Sequence, residues 1–381
     1  MHVGMSTFFQ NLGDRHTDAA VYAHETSMAD LAEPMGFDSV WSAEHHFDNY
    51  TMCPNVAQFL TYMAGRTQRV GLGSMVTVLP WHTPVRLAED LSMLDNLSRG
   101  RLILGIGRGL GRVEFEGFGI DMNESRTRFT EYAEALLDAL DSGRMEYDGT
   151  LLRQPRVDIR PRPTRPIRGR SYAASVSPES FEIMVKLGVG IMIIAQKPWE
   201  KAEEDISGYR ARFLEVHGAP PPKPLLVSFV AVGESEAEAE DMFRRYIRGY
   251  CRSALDHYEF HNAGLADIKG YEYYGKLAAN IAKHGIDSFV DFLAGLQVWG
   301  TPDQVFAKLA ECSRRIDAGG IIAVFSFGGM PHDLAKRNIA LFADKVLPRL
   351  QALETGSGAG AVLARAAVRP EGRDNPCISA S

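Results

Sequence analysis

The fold of this chain is decided by one repeat of strand, helix and strand, RVGLGSMVTVLPWHTPVRLAEDLSMLDNLSRGRLILGIG (residues 69–107). The Val-rich run Arg69–Leu79 stops at a proline and predicts a buried strand. Pro84–Leu97 has apolar residues at helical spacing, and its proline suits the first turn of a helix. Arg101–Gly107 is again apolar and of strand length. Strands joined through a helix are parallel, because a parallel pair needs a crossover connection.

The same alternation recurs along the chain. Eight apolar runs of strand length are separated by segments with a helical period, which is typical of a parallel sheet. The predicted strands are His2–Phe9, Asp38–Ala43, Arg69–Leu79, Arg101–Gly107, Ser171–Ala174, Val189–Ala195, Leu225–Val232 and Gly320–Phe327. We therefore expect an α/β fold, a TIM (β/α)8 barrel with inserted loops over residues 1–352. A doubly wound sheet with an appended lobe is the alternative.

Three segments interrupt or follow the alternation. About 50 residues after the predicted helix Ser235–Arg252 exceed an ordinary connection, so we expect a functional loop or extra helices there. Arg153–Arg170 carries seven arginines and four prolines. It is interpreted as a solvated connector, with a polyanion-binding arm as the alternative. Residues 353–381 are rich in glycine and alanine and predict a flexible tail.

Composition limits the classes of partner. The chain has 381 residues and a formal net charge of −7, which argues against a nucleic-acid binder. No stretch approaches the ~20 apolar residues of a membrane helix, and the first residues lack the basic region of a secretory leader. The four cysteines are scattered, so neither a disulfide framework nor a zinc site is expected. These features favour a cytoplasmic protein that binds neither nucleic acid nor membrane.

The run Glu44-His45-His46 directly follows the second predicted strand. In TIM barrels the reactive groups lie where strands end. A histidine there, with Glu44 as its carboxylate neighbour, is a candidate general base. Neighbouring residues of an extended chain point to opposite faces, so His45 and His46 are poorly arranged to bind one metal ion, and no metal is expected. A histidine that is only packed at the strand end is the structural alternative.

Two further strand ends could bind an anion. The glycines of Gly105–Gly111 do not have dinucleotide spacing, because a G-x-G-x-x-G motif would need glycine at Leu110 or Arg112. Small residues there still let a ligand approach the backbone, and Arg108 offers a guanidinium to a phosphate. After the fifth strand, Ser177 and Pro178 are typical of a helix start, whose free N–H groups could also bind a phosphate.

The assembled motifs resemble the bacterial luciferase-like family of flavin-dependent monooxygenases, and the luciferase alpha subunit in particular. The resemblance spans about residues 1–350 and is densest over 36–126. The segments that carry it are Gly36-Phe37-Asp38-Ser39-Val40-Trp41, Glu44-His45-His46-Phe47, Pro84-Val85-Arg86, Ala88-Glu89-Asp90, Leu94-Asp95, Ser98-Arg99-Gly100-Arg101, Arg108-Gly109-Leu110, Phe118-Gly119, Asp121-Met122, Glu124-Ser125-Arg126 and Gly300-Thr301-Pro302.

The resemblance implies a TIM barrel that binds reduced FMN, supplied by a separate flavin reductase, and reacts it with O2. The resulting flavin C4a-peroxide would hydroxylate or epoxidise a hydrophobic organic metabolite, such as a polyketide or terpenoid natural product of secondary metabolism. The cofactor supplies the oxygen chemistry, and the protein orients it and excludes water. A homodimer is also implied. The alternatives are a deazaflavin (F420)-dependent oxidoreductase on the same barrel and a non-catalytic flavin-binding partner subunit.

The resemblance also assigns residues. His45, beside Glu44, matches the catalytic histidine, and Arg108 matches the arginine on the FMN phosphate. The remaining cofactor-binding residues that it implies are Gly107, Met75, Val76, Ala174, Ser175, Ser177 and Glu114, with a cis peptide expected between Met75 and Val76. Gly107 stands where some luciferases have a reactive cysteine, and Ala174 replaces a glutamate of the phosphate loop, so that Ser177 and backbone donors are expected to assist there.

The substrate pocket that the resemblance implies is expected to be lined by residues at the end of the first strand and after the third. Trp81 and His82 follow the third strand, and Phe8 and Phe9 end the first. These four residues are the candidate pocket residues. Aromatic core packing is the alternative for both phenylalanines.

Overall fold

Eight parallel strands close into a barrel, as the alternation predicts. The computed structural model describes residues 1–174 and 178–354. The strands, including four outside the barrel, are β1 (His2–Ser6), β2 (Ser39–Ser42), β3 (Gly71–Ser74), β4 (Thr77–Val78), β5 (Leu102–Gly107), β6 (Arg144–Asp148), β7 (Arg153–Asp158), β8 (Ser171–Ala174), β9 (Gly190–Ile194), β10 (Leu225–Val232), β11 (Val298–Gly300) and β12 (Gly320–Val324). Parallel pairing runs β1–β2–β3–β5–β8–β9–β10–β12, and β12 pairs with β1 to close the ring. The alternative of an open, doubly wound sheet is therefore wrong.

Helices surround the barrel and fill the connections. They are α1 (Asp18–Ala29), α2 (Val56–Arg66), α3 (Pro84–Leu97), α4 (Arg112–Gly117), α5 (Ser125–Ser142), α6 (Pro178–Leu187), α7 (Trp199–His217), α8 (Glu236–Met242), α9 (Arg248–His257), α10 (Glu272–His284), α11 (Ile286–Leu296), α12 (Pro302–Ile316), α13 (His332–Lys345) and α14 (Leu347–Gln351). A single π-helical turn, Phe243–Ile247, joins α8 to α9. Within the described ranges, none of these helices is both long and apolar enough to cross a membrane.

The barrel core is packed around one large side chain. Trp41 of β2 is fully buried, and its indole lies against the neighbouring strands β1 and β3. A Cβ on Gly73 would come within 2.1 Å of the Trp41 ring, and one on Gly4 within 2.5 Å of its Nε1. Glycine at these two positions is therefore required by the close approach of the indole.

The third predicted strand is interrupted. The sequence predicts one strand over Arg69–Leu79, but β3 ends at Ser74 and β4 begins at Thr77. The peptide between Met75 and Val76 is cis, as the resemblance implies. After it, β4 pairs with the end of β5. The interruption turns the backbone at the carboxyl end of the barrel, where the candidate site lies.

The arginine-rich segment is more ordered than a solvated connector. It contributes β7, which pairs with β6 in an antiparallel hairpin. At its end Arg170 is fully buried, with its Nη1 2.7 Å from Asp95 Oδ1. The prediction of a solvated connector is thus wrong for Arg170, because this guanidinium links α3 to the start of β8. Most of β7 is exposed.

The long segment after α9 contains extra helices, as expected. A 3-10 turn at Ala263–Asp267 is followed by α10 and α11, and the short strand β11 pairs with β10. Tyr271 and Tyr274 of this insertion are buried. The insertion therefore packs over the barrel, where it covers the carboxyl ends of the strands.

Candidate active site

A cavity of about 340 Å³ lies at the carboxyl ends of the barrel strands. Its wall includes residues at or shortly after the ends of four strands: His45 three positions after β2, Met75 after β3, Arg108 after β5 and Ala174 at the end of β8. The rule that reactive groups of a TIM barrel lie at strand ends therefore places four of the predicted residues around one space.

One wall of the cavity is apolar and closely packed. Met75 and Val76 line it with Gly107 and Ala174. A Cβ on Gly107 would lie 2.4 Å from Val76 Cγ2, so glycine lets the two strands meet at this point. A cysteine, which some luciferases have here, would need Val76 to move. This wall offers apolar surface to a flat ring system.

Cationic side chains also line the cavity, and two of them, Arg108 and Arg126, meet at Gly270. Arg108, Arg126 and Lys276 all line the cavity, and Glu272 is an acidic side chain among them. Arg108 Nη1 donates to the carbonyl oxygen of Gly270 at 3.0 Å. The guanidinium of Arg108 also lies 4.0 Å from the centre of the Tyr271 ring, a cation–π contact that fixes its plane. Such a group of cations can bind a phosphate.

His45 is held by a buried carboxylate. Its Nδ1 lies 2.9 Å from Glu114 Oε1, and the backbone N–H of His46 donates to the same oxygen at 3.0 Å. An ionised carboxylate only accepts hydrogen bonds, so the proton of His45 is assigned to Nδ1. Nε2 then carries a lone pair and lies 3.3 Å from the hydroxyl of Tyr258. Burial raises the pKa of Tyr258 well above its usual range, so this phenol stays protonated and donates.

Glu44 serves a different pair of imidazoles. Its Oε1 accepts from His46 Nε2 at 3.1 Å and from His82 Nε2 at 2.7 Å, while Oε2 accepts from the N–H of Val78 at 2.9 Å. Burial alone would raise the pKa of Glu44, but the hydrogen bonds from His46 and His82 outweigh it and lower that pKa. Glu44 borders the cavity, yet its carboxylate does not orient His45. The expectation that the Glu44 carboxylate pairs with His45 is therefore wrong, because the carboxylate that pairs with His45 is that of Glu114.

The structure separates the four candidate pocket residues. Trp81 lines the cavity. His82 instead directs its ring nitrogen to Glu44. Phe8 and Phe9 are buried in the core, where Phe8 packs edge-to-face on Tyr50 and Phe9 does so on Phe59. Because their rings fill the core beneath the site, neither phenylalanine borders this cavity, and the expectation that they form the pocket wall is corrected.

The predicted phosphate loop lies only partly within the described residues. Ala174 lines the cavity, whereas Ser175 and Ser177 lie outside the described residues. Their expected roles therefore stay predictions. Glu114, which the resemblance places near the flavin, does border the cavity.

Several residues of the cavity wall were not identified from the sequence. They come from α5, from α6, from the end of β9 and from the insertion after α9, and they include Arg126, Phe129, Ile183, Met184, Ile194, Gln196, Tyr258, Gly270, Glu272, Tyr273, Tyr274 and Lys276. The unusual length of the connection after α9 was the available signal, since long segments of this kind often serve a site. Which of its side chains face the cavity depends on packing between distant parts of the chain.

The residues present fit FMN. The isoalloxazine ring needs a flat apolar slot, which the wall of Met75, Val76 and Gly107 offers, and the phosphate needs cations, which Arg108 and Arg126 supply. His45 Nε2 accepts from the Tyr258 hydroxyl, and both groups line the cavity, so a ligand there can exchange a proton with Nε2 through this phenol or in its place.

Comparison with known proteins identifies the family. A profile of the luciferase-like monooxygenase family matches residues 1–318. The alkanal monooxygenase alpha chain of Aliivibrio fischeri is 27% identical over 296 residues, which cover 75% of this chain and 81% of that protein. The oxygenase component of a flavin-dependent trigonelline monooxygenase from Acinetobacter baylyi is 26% identical over 243 residues, which cover 63% and 67%.

Solved structures share the barrel. The monooxygenase RslO1 from Streptomyces bottropensis superimposes with a TM-score of 0.74 at 26% identity, covering 92% of this chain and 100% of that one. Two structures share the fold at 17% identity. The oxygenating constituent of 3,6-diketocamphane monooxygenase from Pseudomonas putida, in complex with FMN, has a TM-score of 0.71 and covers 92% and 98%. A coenzyme F420-dependent tetrahydromethanopterin reductase from Methanopyrus kandleri has 0.64 and covers 92% and 99%. The chain belongs to the luciferase-like family of flavin-dependent monooxygenases.

Proposed function

We propose that this chain is the oxygenase component of a two-component monooxygenase that uses reduced FMN and O2 to oxygenate a hydrophobic metabolite. The observation that carries the proposal is the joint placement of His45, Glu114 and Arg108 around one cavity with an apolar wall. Bound reduced FMN would supply the activation of oxygen. A separate flavin reductase supplies that FMN, as the relative named an oxygenase component suggests. A homodimer in the cytoplasm is part of the same proposal.

The protein's own residues bind the cofactor. Arg108 and Arg126, with Lys276, hold the phosphate, while the wall of Met75 and Val76 supports the ring. Charge-assisted hydrogen bonds between guanidinium and phosphate are about twice as strong as neutral ones. Ser175 and Ser177 are proposed to add donors to the phosphate.

The protein also moves a proton and excludes water. His45 Nε2 accepts or returns a proton inside the cavity, and Glu114 keeps the Nδ1 proton in place so that the lone pair stays on Nε2. Tyr258, Tyr273 and Tyr274 of the insertion cover the cavity, which keeps water from the reacting atoms. The remaining apolar surface, including Trp81, favours a substrate without charge.

The experiment that tests this function uses isotopically labelled oxygen. The purified chain is supplied with FMN, NADH and an unrelated flavin reductase under ¹⁸O2, together with a panel of polyketide and terpenoid substrates. Incorporation of one ¹⁸O atom into a product is the expected result. His45→Ala is expected to bind FMN and lose most turnover. Riboflavin, which lacks the phosphate, is expected to bind much more weakly than FMN.

Two outcomes would contradict the proposal. Reduction of substrate with F420 and no oxygen incorporation would make the chain a deazaflavin-dependent oxidoreductase. Flavin binding without turnover, restored only by a second polypeptide, would make it a partner subunit.

A further inference from the structure

We propose that His257 and Asp48 are positioning residues for His45, and that with Glu114 they form a buried chain of acid–base groups connecting the cavity to solvent. The inference rests on the proposed role of His45 in oxygenation, and it adds two residues outside the cavity wall. Neither belongs to a motif that carries the family resemblance.

This series of acid–base groups begins at the cavity and ends at the surface of the protein. His45 Nδ1 contacts Glu114 Oε1 at 2.9 Å, and the Nε2 of His257 lies 4.0 Å from the same oxygen. On its other side, His257 Nδ1 lies 2.5 Å from Asp48 Oδ2. The side chain of His257 is 2% exposed and that of Asp48 is 32% exposed. Asp48 is therefore the group in contact with solvent, and His45 is the group that lines the cavity.

Two buried polar atoms of these side chains lie close to the same backbone position, Gly111. Among the described residues, neither Glu114 Oε2 nor His257 Nε2 has a hydrogen-bond partner. A Cβ on Gly111 would lie 2.5 Å from Glu114 Oε2 and 3.2 Å from His257 Nε2. The two atoms thus flank the same backbone position, where glycine leaves them unobstructed. A buried polar atom without a partner requires an explanation, and a role in acid–base chemistry is one such explanation.

The surroundings make the two carboxylates the charged partners of the imidazoles. The Tyr50 ring stacks on His257, with 4.3 Å between centroids, and the Tyr50 and Tyr258 rings also contact His45. Burial raises the pKa of both phenols well above the usual range, so they stay neutral. Burial would raise the pKa of Asp48 as well, but the contact with His257 and the proximity of His45 hold it low. Asp48 and Glu114 are thus the carboxylates that contact the two imidazoles.

The side chains are arranged as a linear series of acid–base pairs and not as ligands around one metal ion. The donor atoms of His45, Glu114 and His257 lie within 4.8 Å of one another. However, Glu114 Oε1 already accepts from His45 and from the backbone of His46. His257 directs its other nitrogen to Asp48. Each imidazole therefore has a carboxylate partner, which fixes its tautomer and ring orientation.

The test measures the titration of His45 directly. The full chain, free of flavin, is labelled with ¹³C at histidine Cε1, and the His45 signal is assigned by its loss in His45→Asn. In Asp48→Asn the midpoint of the His45 titration is expected to fall by about one pH unit, because removing a nearby negative charge disfavours the protonated imidazole. Asp256→Asn is the matched control, because it removes an exposed carboxylate that directly precedes His257 in the sequence. It is expected to leave the midpoint of the His45 titration unchanged.

A second variant removes the imidazole and keeps the packing. His257→Phe preserves a ring for stacking on Tyr50, and His261→Asn is its exposed control. His257→Phe is expected to lower kcat by about tenfold or more, part of the ~10²–10⁴-fold contribution of a positioned acid–base group. The Kd for FMN is expected to stay unchanged, and His257→Gln is expected to restore part of kcat.

The two proposals fail separately. A His45 midpoint that stays fixed in correctly folded Asp48→Asn overturns the inference, whether or not the parent protein binds flavin. So does a stoichiometric metal ion in the purified protein that is lost in His257→Phe. If instead the midpoint moves as expected but the parent binds no FMN, the proposed function fails and the electrostatic link remains.

Discussion

At the scale of single residues, the site divides its acids between two sets of imidazoles. Glu114 binds His45, and Glu44 binds His46 and His82. The sequence places Glu44 directly beside His45, but neighbouring side chains of an extended segment point apart, so proximity along the chain misleads here. The carboxylate that reaches His45 comes from α4, 69 positions later. Only the folded chain shows that pairing.

Glu114→Gln tests the role of this carboxylate. The amide keeps the size of the side chain but removes the charge that holds the Nδ1 proton of His45. We expect kcat to fall about 10²-fold, with the Kd of FMN within about twofold of the parent value. Turnover and flavin fluorescence titration measure the two quantities. Glu116→Gln alters an exposed acid on the same helix, and equal losses in both variants would contradict the role of Glu114.

Gly111→Ala tests the same geometry by steric means. Gly111 has φ −66° and ψ 112°, which alanine adopts without strain. The added methyl group would lie 2.5 Å from Glu114 Oε2, so the carboxylate must rotate away. We expect kcat to fall by about tenfold, while the far-UV circular dichroism spectrum stays that of the parent. Parent-level turnover would show that the position of this carboxylate is not critical.

At the scale of elements, the hydrophobic pattern predicts where the barrel strands lie but not where a strand is interrupted. β8 and β10 have the predicted bounds, because continuous apolar runs between polar or proline-containing segments define buried strands. The break in the third strand was not predicted from its hydrophobicity, since Met75 and Val76 are apolar and buried or nearly so on either side of the turn. The β6–β7 hairpin was missed because charged, proline-containing strands lack an apolar alternation.

Arg170 shows how this hairpin segment is tied to the barrel. Its guanidinium contacts Asp95 at the end of α3 and donates to the carbonyl oxygens of Gly100 and Leu102. Arg170→Met leaves Asp95 buried without its cation, and we expect the free energy of unfolding to fall by about 3–5 kcal/mol. Urea unfolding measures the change. Arg153→Ala, in the exposed strand β7, should change it by less than about 0.5 kcal/mol. Similar small effects in both would show that the buried pair adds little.

The contact between Glu44 and His82 gives stability a pH dependence. Burial would lower the pKa of His82, but the hydrogen bond to Glu44 raises it above the ordinary value of 6.5. The resulting stabilisation is complete below pH 6.5 and is lost as pH rises through the folded-state pKa. The pKa of Glu44 is lowered from 4.5, so the stabilisation that this carboxylate contributes is complete above pH 4.5 and is lost as pH falls through its folded-state pKa. The contact therefore stabilises the fold most between pH 4.5 and pH 6.5.

His82→Ala is expected to follow that dependence. The free energy of unfolding should fall by about 1 kcal/mol more near pH 5.5 than near pH 9, since only at the lower pH is the charged pair present. Thermal or urea unfolding at the two pH values measures this difference. His261→Ala is the exposed control and should show no such difference. A loss for His82→Ala that is independent of pH would contradict the ion-pair explanation.

At the scale of the whole molecule, the barrel was predictable because it is repetitive. Eight strand–helix units identified from hydrophobic periodicity favour a closed barrel over an open sheet, and closure places the carboxyl ends of all the strands on one face. The site is only partly predictable, because some of its residues follow the repeated strands and others do not. Arg108 and His45 follow strands and could be found, whereas Tyr258 and Tyr274 belong to an insertion whose path over the barrel is set by packing.

The end of the barrel gives a prediction for the whole chain. In α14, Leu347 and Leu350 are fully buried, and Gln351 Nε2 donates to the carbonyl oxygen of Gly36 at 2.9 Å. A chain ending after Glu354 keeps all of these contacts, so we expect it to retain the Tm and FMN affinity of the full chain. A chain ending at Val346 loses both leucines, each worth about 2–5 kcal/mol when removed from a core. It is expected to unfold at a much lower temperature or to aggregate. Calorimetry of the two truncated chains decides whether the domain ends near residue 352: a large loss of Tm in the longer one would place barrel contacts beyond Glu354.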